Sequence, residues 1–354
     1  MNIIRFIHDV DSCMVATETT VRAHVLHRYG KTNAVLTFDE RPEPPLGRAE
    51  VRIDVEAVAL NPVDLKTREG EPKMLLPFAP PFVLGSDLVG TIVELGASVT
   101  SLALGDRVMA YAGMDRMGAF AERVVLPADR VARRPGAMSV EHAVCLPLPG
   151  LCALAALDAG RVERGSRVLI HGGLGGVGSL AVQLASQRGA EVYATVGTTG
   201  LDRARSLGVT HPIDYRTQRF EQLARGMNFV FDTVGGDTLA RSHHVLERGG
   251  TLASLHVPPS ADALTHAGLR APWLLRLLLP LITRGPRTAA AKAGVTLVPI
   301  LSVPSTTGLD RITQATERAG LQVMVDEVFP FAALGAALDR LQSGKAKGRI
   351  VLRR

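Results

Sequence analysis

The chain has 354 residues, 46% of them apolar, which is enough for about two domains with well-filled cores and excludes disordered and fibrous classes. Forty basic against 34 acidic side chains leave a formal charge of +6, but the cations are spread along the whole length with no run that would form a nucleic-acid arm. With 4% aromatic residues there is no base-stacking platform either, so no nucleic-acid partner is expected.

Cys13, Cys145 and Cys152 are few and odd in number, which fits a reducing compartment without a disulfide framework, and zinc-finger spacing is missing. The longest uncharged apolar stretch, Ala143 to Leu157, is broken by Pro147, Pro149 and Gly150 and falls short of the roughly 20 residues of a bilayer span. In residues 1–20, His8, Asp9 and Asp11 interrupt any secretory signal core, and this segment reads as an N-terminal extension. The expectation is a cytoplasmic protein without stable membrane insertion.

From residue 21 to about 130 the apolar period is two. It is clearest at Val51 to Val58, and short strands are also predicted at Arg22 to Leu26, Val89 to Leu95, Arg107 to Ala110 and Ala121 to Leu126. Turn residues between them predict a small antiparallel barrel or sandwich. After Pro147-Leu148-Pro149-Gly150 the pattern becomes a βαβ unit: a strand at Arg167 to His171, a helix at Val177 to Arg188 and a strand at Glu191 to Val196. Strands at Asn228 to Phe231, Thr251 to Leu255 and Val295 to Val303 extend a parallel sheet. The last residues return to the first texture, with strands at Val325 to Phe329 and Arg349 to Leu352 around an Ala-rich helix. The expected division is residues 21–145, rejoined by 310–354, and residues 146–309.

His171-Gly172-Gly173-Leu174-Gly175-Gly176-Val177-Gly178 follows a predicted strand and opens a predicted helix, the setting in which G-x-G-x-x-G binds a dinucleotide. Gly173 is expected to make the tight turn, Gly175 to admit the pyrophosphate, and Gly178 to let helix and strand pack closely. Gly176 and Val177 stand at the helix start, where free N–H groups and the helix dipole favour an anion. The next strand ends in Thr195-Val196-Gly197-Thr198-Thr199-Gly200, without the carboxylate that an NAD site places there. The Thr198 and Thr199 hydroxyls, if not just a solvated turn, could accommodate a 2′-phosphate, with Arg203 nearby as a counter-charge unless it is a surface helix charge, the favoured reading for it, so NADPH is the expected cofactor. His256 and Val257 follow a strand and should lie at the carboxyl end of the sheet, where ligands bind. His243 and His244 are adjacent on a helix and are expected to point apart.

These residues, together with Asn61-Pro62-Val63-Asp64, Val83 to Gly90, Gly105-Asp106-Arg107-Val108, Gly118 to Glu122, Leu146-Pro147-Leu148, Ile213 to Arg216, Phe231 to Gly236 and Lys347 to Leu352, resemble the medium-chain dehydrogenase/reductases. The likeness is to the zinc-independent, quinone oxidoreductase-like branch and covers about residues 21 to 354. It implies an α/β protein with a GroES-like barrel, a Rossmann domain, a cleft between them and commonly a homodimer. Zinc-dependent relatives carry Cys and Gly-His-Glu where this sequence has Asn61 and Gly85-Ser86-Asp87, poor replacements for a thiolate and an imidazole. Without that Lewis acid, the chemistry implied is hydride delivery to a quinone or to the β-carbon of an enone.

The resemblance places Asn61 by the nicotinamide ribose, although Asn before Pro62 is also an ordinary helix start that should end near Gly70. It points Lys66 toward the cleft as a proton donor. The alternative for Lys66 is a solvated charge paired with Glu69; Asp64 and Asp87 are expected in turn or cap duty, with orientation of Lys66 as the other reading. Tyr215 falls where the branch stacks a Tyr near the adenosine phosphate. Cys152 replaces a Thr that contacts the carboxamide, and Gly200-Leu201 stands where a Lys often meets the 2′-phosphate. Residues 261–293 match the family least and could cover the cleft, form a dimer contact or lie on a membrane as a basic amphipathic helix. The functional expectation is an NADPH-dependent reductase of an electrophilic small molecule, a quinone or enone. The alternatives are a non-catalytic NADPH-binding scaffold and a zinc alcohol dehydrogenase.

Overall fold

The structure, a computed structural model, describes residues 19–354, so Cys13 and nearly all of the expected N-terminal extension lie outside it. In chain order the first part is β1 (Thr20–Leu26), β2 (Leu36–Pro42), β3 (Glu50–Ala59), α1 (Pro62–Glu69), β4 (Phe82–Val83), β5 (Asp87–Leu95), β6 (Arg107–Tyr111), β7 (Arg123–Pro127) and β8 (Val131–Arg133). Short α2 (Val140–Ala143) and α3 (Pro147–Ala159) lead to β9 (Arg167–Ile170), α4 (Gly176–Gln187), β10 (Glu191–Val196), α5 (Leu201–Ser206), β11 (His211–Asp214), α6 (Phe220–Leu223), β12 (Met227–Asp232), α7 (Gly236–Ser242) and β13 (Leu246–Ser254). Next come α8 (Ala261–His266), α9 (Trp273–Ala293), β14 (Thr296–Pro299), α10 (Thr306–Ala319), β15 (Val325–Pro330), α11 (Leu334–Gln342) and β16 (Arg349–Arg353).

Six strands form a parallel sheet in the order β11-β10-β9-β12-β13-β14, the doubly wound Rossmann arrangement, whose strand order reverses between β9 and β12. A second sheet, β15-β16-β3-β5-β6-β8 with β7 on β3, is antiparallel except for β15 with β16, and β2-β1-β4 closes against it as the GroES-like barrel. The tail enters this sheet where Val351, Leu352 and Arg353 pair with Ala59, Val58 and Ala57. Helix α3 is buried along most of its length, and its apolar cluster also takes in Ala57, Val89, Met109 and Tyr111 of the barrel. The two sheets therefore share a continuous core beside the cleft.

Helix α3 begins at Pro147, with Pro149 still in its first turn, where a missing N–H costs no helical hydrogen bond. Helix α1 starts at Pro62 and stops at Gly70, whose φ of 85° suits the left-handed cap. Strand β2 escaped the sequence pattern because it is an exposed edge strand with an interrupted apolar face, and β11 because it is four residues long and contains Pro212.

At Gly90 in β5, a Cβ would stand 2.2 Å from the Asp54 carbonyl oxygen of β3. Gly90→Ala is expected to lower stability by about 1–3 kcal/mol. Gly136→Ala, which meets nothing within 4 Å, should be neutral or stabilising by up to about 1 kcal/mol. Urea midpoints decide, and equal midpoints for wild type and Gly90→Ala would contradict this strand packing.

Candidate active site

The dinucleotide loop turns at Gly172, with φ of 67°, and not at Gly173 as the motif spacing suggested. A Cβ on Gly173 would meet Ala194 of β10 at 2.7 Å, so its bareness serves close packing on the neighbouring strand. At Gly178 a Cβ would approach the Gly172 carbonyl oxygen to 2.2 Å, so its bareness lets α4 close on the loop itself. Gly175 is different, since a Cβ would meet only that oxygen, at 3.3 Å, and would otherwise project into open space at the α4 N-terminus. Free N–H groups at the start of a 12-residue helix, with room for an approaching anion, fit a dinucleotide pyrophosphate.

The loop separates two cavities along the carboxyl edge of the parallel sheet. One, of about 780 Å³, is bordered by His171, Gly172 and Thr195 on one side and by Tyr215, Arg216, Arg219 and Arg241 on the other. The other, of about 520 Å³, lies between the two sheets and brings Asn61 and Lys66 of the barrel side against Gly175, Gly176, Val177, Gly178 and His256. An extended molecule laid across Gly172–Gly178 would occupy both. Val257 is buried behind His256, and Arg203 lines a separate cavity with Met138 and His142, away from Tyr215.

Thr198 does not face an uncharged surround. Asp214 of β11, in register with Val196, reaches the Thr198 hydroxyl and accepts from the Arg216 N–H, and these bonds hold its carboxyl below the usual range. Thr199 adjoins it in the same short turn, and Gly197 lies against the exposed Tyr215 ring. A carboxylate thus arrives from the adjacent strand, where chain distance from β10 hid it in the sequence.

His171 is completely buried, with its ring nitrogens 3.2 Å from the Thr195 hydroxyl and 3.1 Å from the Ser242 hydroxyl. Burial pushes its pKa down to about 4, so the imidazole is neutral and ties β9 to β10 and α7. Across the switch point the Thr233 hydroxyl donates to the His171 carbonyl. His243 and His244 do not point apart: where α7 gives way to a turn their rings lie 4.1 Å from each other.

The barrel wall of the cleft is organised by Asp87. Its carboxylate accepts from Asn61 Nδ2 at 3.0 Å, from the Leu148 N–H at 2.9 Å and from Arg349 at 3.2 Å. Leu148 lies in the first turn of α3, so Asp87 also places a negative charge at a helix N-terminus. Burial raises the Asp87 carboxyl to about 6 against the opposing pull of these three donors. Asn61 is therefore fixed by its amide, while Asp64 accepts from the Asn61 N–H at 2.7 Å as the helix cap. Asp64 has one carboxylate oxygen without a partner, and burial, with Asp87 nearby, pushes it up to about 7. Neither acid orients Lys66, and Glu69 turns to Arg68 at 3.3 Å, leaving the exposed Lys66 without an ion pair among the described residues.

Arg349 and Thr233 line the cleft and were given no role by the sequence reading. Arg349 lies against Gly176, where a Cβ would be 3.3 Å from its Cδ, which places a buried guanidinium beside the α4 N-terminus. Its position between Gly348 and Ile350 at a strand start was the available signal. Cys152 lines the same cavity, and burial pushes its thiol up to about 12, so it acts as a small neutral side chain. The Asn61 amide and the buried Ser86 hydroxyl do not fit zinc, and among the described residues no three His, Cys, Asp or Glu side chains converge.

Residues 47–136 match the family model described as alcohol dehydrogenase GroES-like domain, and residues 207–352 match the model described as zinc-binding dehydrogenase. The chain is 32% identical to a 2-haloacrylate reductase from Burkholderia, covering 68% of this chain and 75% of that one. It is 28% identical to the mitochondrial NAD(P)H oxidoreductase RTN4IP1 of Danio rerio, over 96% of this chain and 93% of the relative. The solved quinone oxidoreductase of Coxiella burnetii superimposes with a TM-score of 0.79 at 28% identity, over 95% of this chain and all of that one. The protein belongs to the medium-chain dehydrogenase/reductases, in the zinc-independent, quinone oxidoreductase-like branch. It is an oxidoreductase that takes a nicotinamide cofactor.

Two outcomes are expected from the buried network. Removing the cation in Arg349→Met leaves Asp87 unpaired and should cost about 3–5 kcal/mol in urea unfolding. Because the folded pKa of Asp64 is raised, its protonated form favours folding, and that stability is lost as pH rises from about 4 through 7. Asp64→Asn, which keeps an acceptor for the Asn61 N–H, should gain stability over wild type across that window. Parallel stability profiles would contradict the burial argument.

Proposed function

We propose that the protein reduces quinones or the C=C bond of α,β-unsaturated carbonyls with NADPH. The observation that carries this reading is the pair of cavities on either side of the glycine loop, one bordered by Arg216, Arg219 and Arg241 and the other lined by Asn61, Lys66, Leu148 and Arg349. A bound reduced nicotinamide supplies the hydride.

The chain's part is to seat, orient and shield. Gly175 to Gly178 receive the pyrophosphate, with Arg349 adding positive charge beside the helix start. Arg216 and Arg219 make no ion pair among the described residues and face a 2′-phosphate, although the Arg216 charge also acts on Asp214, whereas Arg241 is shared with Glu221 and Asp237. Asn61 is a positioning residue, fixed by Asp87. Leu148, Pro149, Cys152 and Leu255 line the cleft with largely apolar surface and limit water near the reacting carbon. Lys66 Nζ holds the proton that the acceptor oxygen takes when hydride arrives.

The named activity of the Burkholderia relative, on a 2-haloacrylate, supports an electron-poor alkene as acceptor. The Coxiella quinone oxidoreductase supports a quinone. The family resemblance supports a homodimer as the working form.

NADPH oxidation against a panel of quinones and enones is the direct test. Lys66→Ala is expected to lower kcat with an enone roughly 10²-fold or more while leaving NADPH affinity near wild type. Wild-type turnover would remove the proton-donor role. Arg216→Ala with Arg219→Ala should reduce the preference for NADPH over NADH by about tenfold or more, and an unchanged ratio would place the 2′-phosphate elsewhere.

A further inference from the structure

Helix α9 has apolar residues on two faces. Leu275, Leu279, Thr283 and Ala290 turn inward, and Leu275 and Leu279 pack with Leu75, Leu76 and Leu264. Trp273, Leu274, Leu277, Leu278, Leu281 and Ile282 are all exposed, Trp273 by 73%. Their spacing of i, i+1, i+4, i+5, i+8 and i+9 makes one stripe two side chains wide and three turns long. Pro280 and Pro286 remain within this helix, their missing N–H groups tolerated on an element facing solvent.

Charge around the stripe is of one sign. Between Asp262 and Asp310 the sequence holds no carboxylate, only the cations Arg270, Arg276, Arg284, Arg287 and Lys292. Arg276 is bound to Asp262 and Thr265, and Arg270 to the Pro77 carbonyl. Arg284, Arg287 and Lys292 make no ion pair among the described residues. Two copies meeting through this face would bring like charges together, whereas an anionic lipid surface offers the opposite charge as well as an apolar interior. No helix among the described residues is long and apolar enough to cross a membrane.

We propose that α9 lies in the interface of an anionic bilayer, with the stripe among the acyl chains and Arg284, Arg287 and Lys292 at the headgroups. Such docking would bring the enzyme to acceptors dissolved in lipid.

Trp273 is the only tryptophan in the chain, so its emission reports directly on this face. The full chain is titrated with phosphatidylcholine vesicles and with vesicles containing phosphatidylglycerol, followed by flotation. The expected result is a blue shift and flotation with the anionic vesicles only, weakened by salt. Leu277→Glu with Leu281→Glu should abolish both, and Arg284→Gln with Arg287→Gln should weaken binding roughly fivefold for each charge removed. NADPH affinity and melting temperature of the variants should match wild type. The proposal is overturned by no flotation, by equal binding to neutral vesicles, or by a Trp273 emission already blue-shifted without lipid together with a monomer after Leu277→Glu, which would make the stripe a contact between copies.

Discussion

Asp87 lies fully buried where three distant parts of the chain meet: the start of α1 at Asn61, the start of α3 at Leu148, and the last strand at Arg349. A carboxylate in that position is costly unless donors surround it, and each donor comes from a different element. The charge therefore specifies how the barrel, the returning tail and the helix leading into the parallel sheet fit together. Arg349, held on one side by Asp87, presses its stem against Gly176 on the other. This ion pair adds a polar tie between the glycine loop and the barrel wall to the apolar core that the two sheets share.

This arrangement divides the work of the cleft. In the proposed reading the parallel sheet would supply the anion site through backbone geometry, with Gly178 and Gly173 bare so that α4 and β10 can close on the loop. The barrel supplies side chains: Asn61 held by its amide, and Lys66 one turn further along α1, solvated and uncommitted. A fixed amide beside a free ammonium suits a site where one group positions and another exchanges a proton. Thr233 and His256, from the ends of β12 and β13, complete the rim at the edge of the sheet where ligands of such folds lie.

Much of the fold was legible because its strands carry their own period. Glu191–Val196 appears with the same bounds in pattern and structure, and the start of α1 at Asn61-Pro62 with its end at Gly70 follows from capping chemistry alone. The glycine loop was legible as a motif, but the division of labour within it was not: whether Gly172 or Gly173 takes the positive φ depends on how β10 packs against it. Long-range partners were invisible for the same reason. Asp214 meets Thr198 only through strand pairing, Arg349 reaches Asp87 across 262 positions, and Arg203 is turned away from Tyr215 by the face of α5 it occupies. A basic amphipathic helix was one reading of residues 261–293, but which of the leucines of α9 turn inward depends on packing against Leu75, Leu76 and Leu264.

Titration calorimetry of the full chain with NADPH, then with NADH, tests the central claim most directly, because the proposed reading gives both cavities flanking the glycine loop to one dinucleotide. The account requires one NADPH per chain bound with measurable heat and more tightly than NADH. Absence of heat with both coenzymes would contradict it.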